Sequence, residues 1–300
     1  MNVGSQNEIG NVKRGKVAVV TDSVAQVPSE VAKQLDIQVV PSTLLLEGHK
    51  YQDGVDLVPE ELYRRMREEK VVVHTTSPPV GSFYQTFLNL IDEGLEEVLY
   101  IGLSSEMSAT YSAAQNGARL VLEEHPSREI ILFDSKKATI AQGYIAIEAA
   151  RMAARGSSLL EVVARAEQVR EHTGLVATLE TLDYLARGGR IGKIAYMLGA
   201  AVKILPIVTF GEDGTVAPVA MGRSDDSTLR RMVAYVADKT KGCRRLHLAI
   251  MQADAQQRAV RLRQYAMERL EPAEMIMTHF TPVMVAHAGP GLIGIAYYYE

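Results

Sequence analysis

Short apolar runs that end in small polar residues and lead into helical patterns recur through the first half of this 300-residue chain. Three of them cover residues 17–20, 98–101 and 130–133. Continuous runs of β-branched and other large apolar side chains are typical of strands that are buried on both faces. Strands that alternate with helices several times form a parallel sheet with helices on both faces. We therefore predict an α/β fold for this part of the chain.

Four of the predicted strands end in hydroxyl or carboxylate side chains. These ends are Asp22-Ser23, Thr76-Ser77, Ser104-Ser105 and Asp134-Ser135. In open α/β sheets, ligands bind outside the C-terminal ends of the strands. The four pairs therefore predict a polar rim around a crevice at one edge of the parallel sheet.

Residues 102–111, with the sequence GLSSEMSATY, form the most distinctive of these strand ends. The pattern predicts a strand that runs into a helix with Ser or Thr at its cap, and the helix continues to about Leu122. The first turn of a helix leaves backbone N–H groups unpaired and carries a partial positive charge, so it suits an anion. A capping serine that binds nothing explains the same pattern. The segment alone leaves both interpretations open.

The pattern changes after about residue 172. Predicted strands and amphipathic helices still alternate, but the sequence GEDG at residues 211–214 indicates a hairpin between two strands. This predicts a mixed sheet with helices on one face. The length of the chain fits about two domains. We expect a loose tail over residues 1–15, an N-terminal α/β/α domain over residues 16–172 and a C-terminal α/β domain over residues 173–300.

Composition excludes several classes of protein. A net charge of −4 and the lack of a long Lys/Arg cluster argue against a nucleic-acid-binding surface. The only cysteine is Cys243, which fits a reducing compartment, and the polar first 15 residues lack the apolar stretch of a signal peptide. The longest apolar tract, residues 198–210, contains Lys203 and Pro206 and is too short to span a bilayer. We therefore expect a cytoplasmic protein that does not bind nucleic acid.

The sequence shows no common motif for metal, nucleotide or nucleophilic chemistry. The histidines lack metal-ligand spacing, and no Gly-x-Ser-x-Gly elbow or phosphate-binding loop occurs. His287 lies in a predicted turn before Gly289-Pro290-Gly291, and residues 187–190 place two arginines around a Gly-Gly turn. Each of these features is explained either by the needs of the backbone or by a ligand or partner contact. We expect no metal site, and these patterns support no nucleotide cofactor.

Eight short motifs follow one another between about Val17 and Tyr298. They are Thr21-Asp22-Ser23, Tyr51-x-Asp53-Gly54, Thr76-Ser77-Pro78-Pro79, Leu103-Ser104-Ser105-x-x-Ser108-x-Thr110-Tyr111, Asp134-Ser135, Leu182-x-Tyr184-Leu185-x-x-Gly188-Gly189-Arg190-Ile191, Lys203-x-x-Pro206 and His287-x-Gly289-Pro290-Gly291. Each is weak alone. In this order and spacing the set resembles the DegV family, which includes the fatty-acid-binding subunits of bacterial fatty acid kinase.

The resemblance implies that a long-chain fatty acid lies in a tunnel between or within two domains. In the family, a threonine, a serine and a histidine of three of these motifs hold the carboxylate. The corresponding residues here are Thr76, Ser108 and His287, with Ser77, Ser105 and Ala109 beside them. The chain departs from the family pattern at two positions: Ala109 stands where glycine is usual, and Pro78 where glutamine is usual. Neither change removes a proposed ligand.

The resemblance also implies a partner, an ATP-dependent kinase subunit that phosphorylates the presented carboxylate to an acyl phosphate for phospholipid metabolism. Arg190 would belong to the surface that meets this kinase. The chain itself would not be the catalyst, its only ligand would be the fatty acid, and transient contact with a membrane is compatible with this role.

Two other functions stay open on the sequence alone. One is an enzyme, or a substrate-binding subunit, that acts on a small hydroxyketone or sugar through His287 and a Ser or Thr, by analogy with the related substrate-binding subunit of dihydroxyacetone kinase. The other is a structural or regulatory module without a ligand. The lack of a triad member or metal motif counts against the first.

Overall fold

The computed structural model describes residues 16–197 and 204–300. Its strands are β1 (Val17–Asp22), β2 (Gln38–Val40), β3 (Thr43–Leu46), β4 (His49–Gln52), β5 (Val73–Thr76), β6 (Glu97–Gly102), β7 (Glu129–Asp134), β8 (Thr173–Thr178), β9 (Leu205–Phe210), β10 (Val216–Gly222), β11 (Leu246–Gln252), β12 (Glu274–His279) and β13 (Ile293–Tyr299). Its α-helices are α1 (Ser29–Gln34), α2 (Pro59–Arg64), α3 (Val80–Asp92), α4 (Thr110–Glu124), α5 (Thr139–Ala154), α6 (Leu159–Glu171), α7 (Asp183–Arg187), α8 (Asp225–Lys239), α9 (Gln256–Arg269) and α10 (Pro282–Ala288). The tail predicted for residues 1–15 and Lys203, the predicted start of β9, lie outside the described residues.

The first sheet is parallel and has the strand order β2-β1-β6-β7. Successive side chains of β1 point to opposite faces. Ala18 and Val20 pack in the cluster that includes α3 and α4, whereas Val17 and Val19 pack in the cluster that includes α5 and α6. Burial on both faces is why the strand has no polar alternation. The predicted parallel sheet with helices on both faces is confirmed.

The second sheet is mixed and has the strand order β10-β9-β8-β13-β11-β12. Only β11 and β12 pair in parallel; the other neighbours are antiparallel. On one face, Leu229 of α8 and Leu262 of α9 pack with Ile250 of β11. The predicted mixed sheet is confirmed, as is the hairpin between β9 and β10, and α8 and α9 are the helices that cover this face.

Helix α5 lies between the two sheets. Its residues Ile145 and Ala149 belong to one hydrophobic cluster together with Val19 of β1 and Ala249 of β11. A helix that is apolar all round is either buried in a large core or spans a membrane. Here α5 is 16 residues long and buried, and no helix in the described ranges has the length and apolar character needed to cross a bilayer.

The chain passes from the parallel sheet to the mixed sheet near residue 172, where the domain boundary is predicted. Both sheets nevertheless pack on the same hydrophobic core around α5. The change from one sheet to the other occurs between α6 and β8. The division into two domains at this residue stays a prediction.

A third, antiparallel sheet has the order β4-β3-β5. Strand β5 therefore does not belong to the parallel sheet, and the prediction that Thr76-Ser77 ends a strand of that sheet is wrong. The apolar run at residues 71–73 is too short to indicate its partner, and the pairing of β5 with the β3–β4 hairpin extends the strand through Thr75 and Thr76. The other three polar strand ends, after β1, β6 and β7, do share one edge of the parallel sheet.

Candidate functional site

A cavity of about 330 Å³ lies among the end of β6, the start of α5, strand β5, helix α10 and the β9–β10 hairpin. The lining residues are Val24, Ser42, Thr75, Thr76, Ser77, Leu103, Met107, Ser108, Ala109, Thr110, Ala138, Leu185, Arg190, Phe210, Val216, Val283, Met284, His287 and Ala288. None of these described residues carries a carboxylate. The cavity thus offers hydroxyl groups, an imidazole and a guanidinium group, but no anionic side chain.

The lining differs in exposure from one part to another. The apolar residues Leu103, Val216 and Val283 are buried, whereas Thr76 and Ala109 are exposed. The cavity therefore has an apolar interior and a polar part that is open to solvent.

His287 lies in the last turn of α10, and Gly289, with φ of 84°, ends the helix. The prediction that His287 lies in a turn is therefore wrong. Its Nε2 is 2.7 Å from Oγ1 of Thr75. Burial and, to a smaller extent, the charge of Arg190 lower the pKa of His287 to about 4, so the imidazole is neutral at pH 7.

The Nδ1 side of His287 faces the Gly-Gly turn that follows α7. A Cβ atom on Gly188 would lie 2.9 Å from Nδ1, which explains why this position has no side chain. Within residues 16–197 and 204–300, Nδ1 has no hydrogen-bond partner, and in particular no carboxylate. The Thr75–His287 pair thus lacks the third, orienting group of a hydroxyl–imidazole–carboxylate triad.

Arg190 is half-buried in the cavity wall. Its Nε donates to the carbonyl oxygen of Met107 at 3.2 Å and its Nη1 to that of Gly188 at 2.5 Å. In the described part of the chain, no carboxylate pairs with it. A guanidinium group has five N–H donors, so several donors and the full positive charge are available to a ligand or a partner. The sequence predicts a partner contact for this residue, and that role stays a prediction.

The segment between β6 and α4 does not begin as a capped helix. Helix α4 begins at Thr110, and its N-cap residue Ala109 makes no side-chain capping bond, so the predicted Ser or Thr cap is wrong. Instead, Ser108 Oγ accepts a hydrogen bond from Thr110 N at 3.2 Å and lies 2.9 Å from Thr110 Oγ1. Ser108 and Ala109 both line the cavity.

The two serines that precede this segment make contacts elsewhere. Ser104 is buried and its Oγ donates to the carbonyl oxygen of Gly214 at 2.8 Å, which attaches the β9–β10 hairpin to the end of β6. Ser105 is exposed and its Oγ donates to Asp134 at 2.7 Å. Of the six residues predicted to hold a carboxylate, Ser105 alone does not appear in the cavity lining. The polar rim predicted from the strand ends exists, but its groups here bond to one another.

Asp22 fixes one wall of the cavity from behind. It is fully buried and accepts hydrogen bonds from Tyr100 Oη at 3.0 Å, Leu103 N at 3.0 Å and Gln142 Nε2 at 2.9 Å. Burial raises the pKa of Asp22, although these bonds lower it. Because Leu103 lines the cavity, the buried carboxyl group sets where this wall lies.

Asp53 holds a second part of the cavity wall in place. It is 2% exposed and accepts hydrogen bonds from Ser23 Oγ at 2.8 Å and from Val283 N at 3.1 Å. Val283 lies in the first turn of α10, where backbone N–H groups have no partner within the helix. Burial raises the pKa of Asp53 to about 6, although both bonds lower it. Asp53 therefore anchors the helix that carries His287.

Sequence reasoning missed Thr75 and the role of Asp53. Asp53 belongs to a motif that is visible in the sequence, but its partner Val283 is 230 residues away. Thr75 precedes a predicted ligand, and only the register of β5 shows that it is the threonine that reaches His287. Among the residues that the structure describes, no group of three or more His, Cys, Asp or Glu side chains is placed to hold a metal ion.

The comparisons with known proteins agree on one family. Residues 16–300 match the family described as "Uncharacterised protein, DegV family". A DegV domain-containing protein of Halalkalibacterium halodurans is 30% identical over 285 residues, which cover 95% of this chain and 99% of that protein. Two solved structures, each 25% identical, cover 95% of this chain. One is a DegV family protein from Thermus thermophilus described for fatty acid binding, with a TM-score of 0.87 over 99% of its chain. The other is a hypothetical protein from Thermotoga maritima described as revealing a fatty acid binding function, with a TM-score of 0.82 over 100% of its chain. This chain belongs to the DegV family.

Proposed function

We propose that this protein binds a long-chain fatty acid in the cavity, with the carboxylate at the polar, exposed part. The observation that carries the proposal is the charge of the lining: Arg190 has no carboxylate partner, and none of the described lining residues is acidic. A ligand with one carboxylate supplies the missing negative charge and accepts charge-assisted hydrogen bonds. The fatty acid binding described for the relatives from Thermus thermophilus and Thermotoga maritima supports the same ligand class.

The contacts proposed for the carboxylate are the hydroxyl groups of Thr76, Ser77 and Ser108 and the imidazole of His287. In the described ranges, the hydroxyl groups of Thr76 and Ser77 have no hydrogen-bond partner and are available to a ligand. Ala109 would contribute its backbone beside the N-terminus of α4, where the helix dipole favours an anion. Ser105 lies outside the lining and would support the carboxylate site only indirectly, by holding the segment before α4 through its bond to Asp134.

The apolar interior supplies most of the binding free energy. Burial of about fourteen methylene groups at about 0.8 kcal/mol each contributes roughly 11 kcal/mol before the costs of association are subtracted. The carboxylate, in contrast, would stay next to the exposed residues Thr76 and Ala109. This arrangement keeps the alkyl chain of the fatty acid inside the protein and its carboxylate within reach of a second protein.

We further propose that the exposed carboxylate is presented to a separate ATP-dependent kinase subunit, which phosphorylates it to an acyl phosphate. Arg190, half-buried at the cavity wall, would face both the carboxylate and this partner. The protein itself would contribute no catalytic residue. The Thr75–His287 pair has the distance of a nucleophile and its base, but in the described residues no carboxylate orients the imidazole.

Native mass spectrometry of the purified protein should show a co-purified fatty acid. After the lipid is removed, titration should show that a fatty acid binds at least tenfold more tightly than its methyl ester, because the ester lacks the negative charge. Arg190→Gln should reduce this ratio. Arg187→Gln is the matched control, because Arg187 lies on the same segment but stacks on Tyr184 outside the lining. Failure to bind either ligand, or equal affinity for both, would contradict the proposal.

The presentation step has its own test. The loaded protein is mixed with ATP and a fatty acid kinase subunit, and acyl phosphate is trapped as the hydroxamate. Product should require both proteins. If the fatty acid binds but no kinase subunit yields product, presentation is wrong and binding stands.

A further inference from the structure

We propose that the cavity contains a second polar subsite at Ser42, and that the preferred ligand is a fatty acid with a hydroxyl group on its alkyl chain. This inference rests on the proposed function, because it concerns the chain of the acid whose carboxylate lies near His287. It adds a preference among fatty acids to that function.

Ser42 is 3% exposed and lines the cavity. Both of its backbone groups are bonded: its N–H donates to Ser23 Oγ at 3.1 Å, and its carbonyl oxygen accepts from Asp53 N at 2.9 Å. Its Oγ, however, has no hydrogen-bond partner anywhere in residues 16–197 and 204–300. It is also absent from the side-chain atoms that are fully enclosed without a partner, so it keeps contact with the cavity.

The neighbours of Ser42 do not explain this free hydroxyl group. Ser23 Oγ already accepts from Ser42 N and donates its own hydrogen to Asp53. The lining residues attached to the same network, Val24 and Val283, are apolar and buried. Ser42 thus presents a free hydroxyl group between these buried apolar residues and Thr76, which is the strand partner of its neighbour Thr43.

An unsubstituted alkyl chain would make this spot unfavourable. The chain would displace water from Ser42 Oγ and give it no hydrogen bond in return, and a buried polar group without a partner destabilises the complex. A hydroxyl group on the ligand would replace the lost bond. Sites with a buried polar group discriminate against analogues that cannot pair with it. One neutral hydrogen bond corresponds to about a fivefold difference in affinity.

The fold also indicates which part of the chain carries the oxygen. Val283 and His287 are four residues apart on α10, which is about 6 Å along the helix. Asp53 connects Val283 to Ser42 through two hydrogen bonds. Ser42 is therefore tied to the wall one helical turn from the head-group site, which points to a hydroxyl group nearer the carboxyl end than the methyl end.

The test uses the full chain freed of lipid and a panel of saturated fatty acids of equal length. Each acid in the panel has one hydroxyl group at a different carbon, and the unsubstituted acid is the reference. One position in the carboxyl-proximal half should bind about fivefold more tightly than the reference. Ser42→Thr, which keeps the hydroxyl group, should retain this preference. Ser42→Ala should lose it and bind the reference acid more tightly than the wild type does.

Val24→Ala is the matched control, because it removes apolar contact from the same region and should weaken the binding of all the acids by the same factor. Thermal unfolding of each variant shows whether it folds. The inference is overturned if no hydroxylated acid exceeds the reference, or if Ser42→Ala keeps the preference. If no acid binds at all, with or without a hydroxyl group, the proposed function itself is wrong and the inference is lost with it.

Discussion

Asp53→Asn replaces a buried carboxyl group with a neutral amide of nearly the same shape. The two oxygens of Asp53 accept hydrogen bonds from Ser23 Oγ and Val283 N. An amide oxygen can still accept from Val283 N, and the amide NH₂ can donate to Ser23 Oγ. The substitution therefore changes the charge at this position and leaves the packing around α10 nearly unchanged.

The expected effect on stability follows from the pKa of Asp53, which burial raises from 3.8 to about 6. Between these two values the folded protein holds a proton that the unfolded chain has released. The stability that Asp53 contributes is therefore fully present below about pH 4 and is lost as the pH rises through about 6. The difference between the two pKa values corresponds to about 3 kcal/mol in the free energy of unfolding. Because asparagine does not titrate, the free energy of unfolding of Asp53→Asn, relative to wild type, should rise by about 3 kcal/mol between pH 4 and pH 7.

Urea denaturation of the lipid-free proteins at several pH values measures this difference, provided that the m-value stays the same. Titrating groups that do not interact with Asp53 are present in both proteins and cancel to first order. His287→Asn is the control of opposite sign. The pKa of His287 is lowered from 6.5 to about 4, so its contribution is present above about pH 6.5 and lost as the pH falls through 4. If the difference in the free energy of unfolding between Asp53→Asn and the wild type does not vary with pH, the raised pKa of the buried Asp53 carboxyl group is refuted.

Two further predictions compare matched pairs of variants. Thr75→Val removes the 2.7 Å contact with His287 and should change the titration of the imidazole in NMR spectra. Thr76→Val is the control and should leave that titration unchanged. Equal effects of the two variants would mean that the contact with His287 has been assigned to the wrong threonine. Gly143→Ala should destabilise the protein by about 1–3 kcal/mol, because the new Cβ would lie 2.4 Å from the carbonyl oxygen of Ala25 beside the buried helix α5. Gly81→Ala in α3 meets nothing within 4 Å and should stabilise by up to about 1 kcal/mol through helix propensity; urea denaturation of both variants should give opposite signs.

The sheets could be predicted because their sequence signal is local. The β-branched run of β1 is buried on both faces, and such a run specifies a central parallel strand without information from the rest of the chain. The β9–β10 hairpin is likewise encoded in the four residues of its turn. The assignment of β5 to the parallel sheet was wrong because its partner, the β3–β4 hairpin, is chosen by tertiary packing.

The cavity lining was partly predictable and its hydrogen bonds were not. Thr76, Ser108 and His287 all lie in the lining, and short motifs indicated each of them. That Thr75 contacts His287 depends on the register of β5 and on an element 212 residues later. The predicted Ser or Thr cap was wrong, because the hydroxyl groups of Ser104 and Ser105 bond to Gly214 and Asp134 instead of capping α4.

The two buried carboxyl groups hold different parts of the cavity wall in place. Asp22 accepts the backbone N–H of Leu103 and of Val24, and Asp53 accepts that of Val283. All three of these donors belong to residues that line the cavity. Both carboxyl groups have raised pKa values because they are buried, yet an apolar side chain at either position would leave buried hydrogen-bond donors without an acceptor. Ionisation of either group strengthens the hydrogen bonds that it accepts but places a charge in a buried site, so the cavity wall is held at a cost to the stability of the fold.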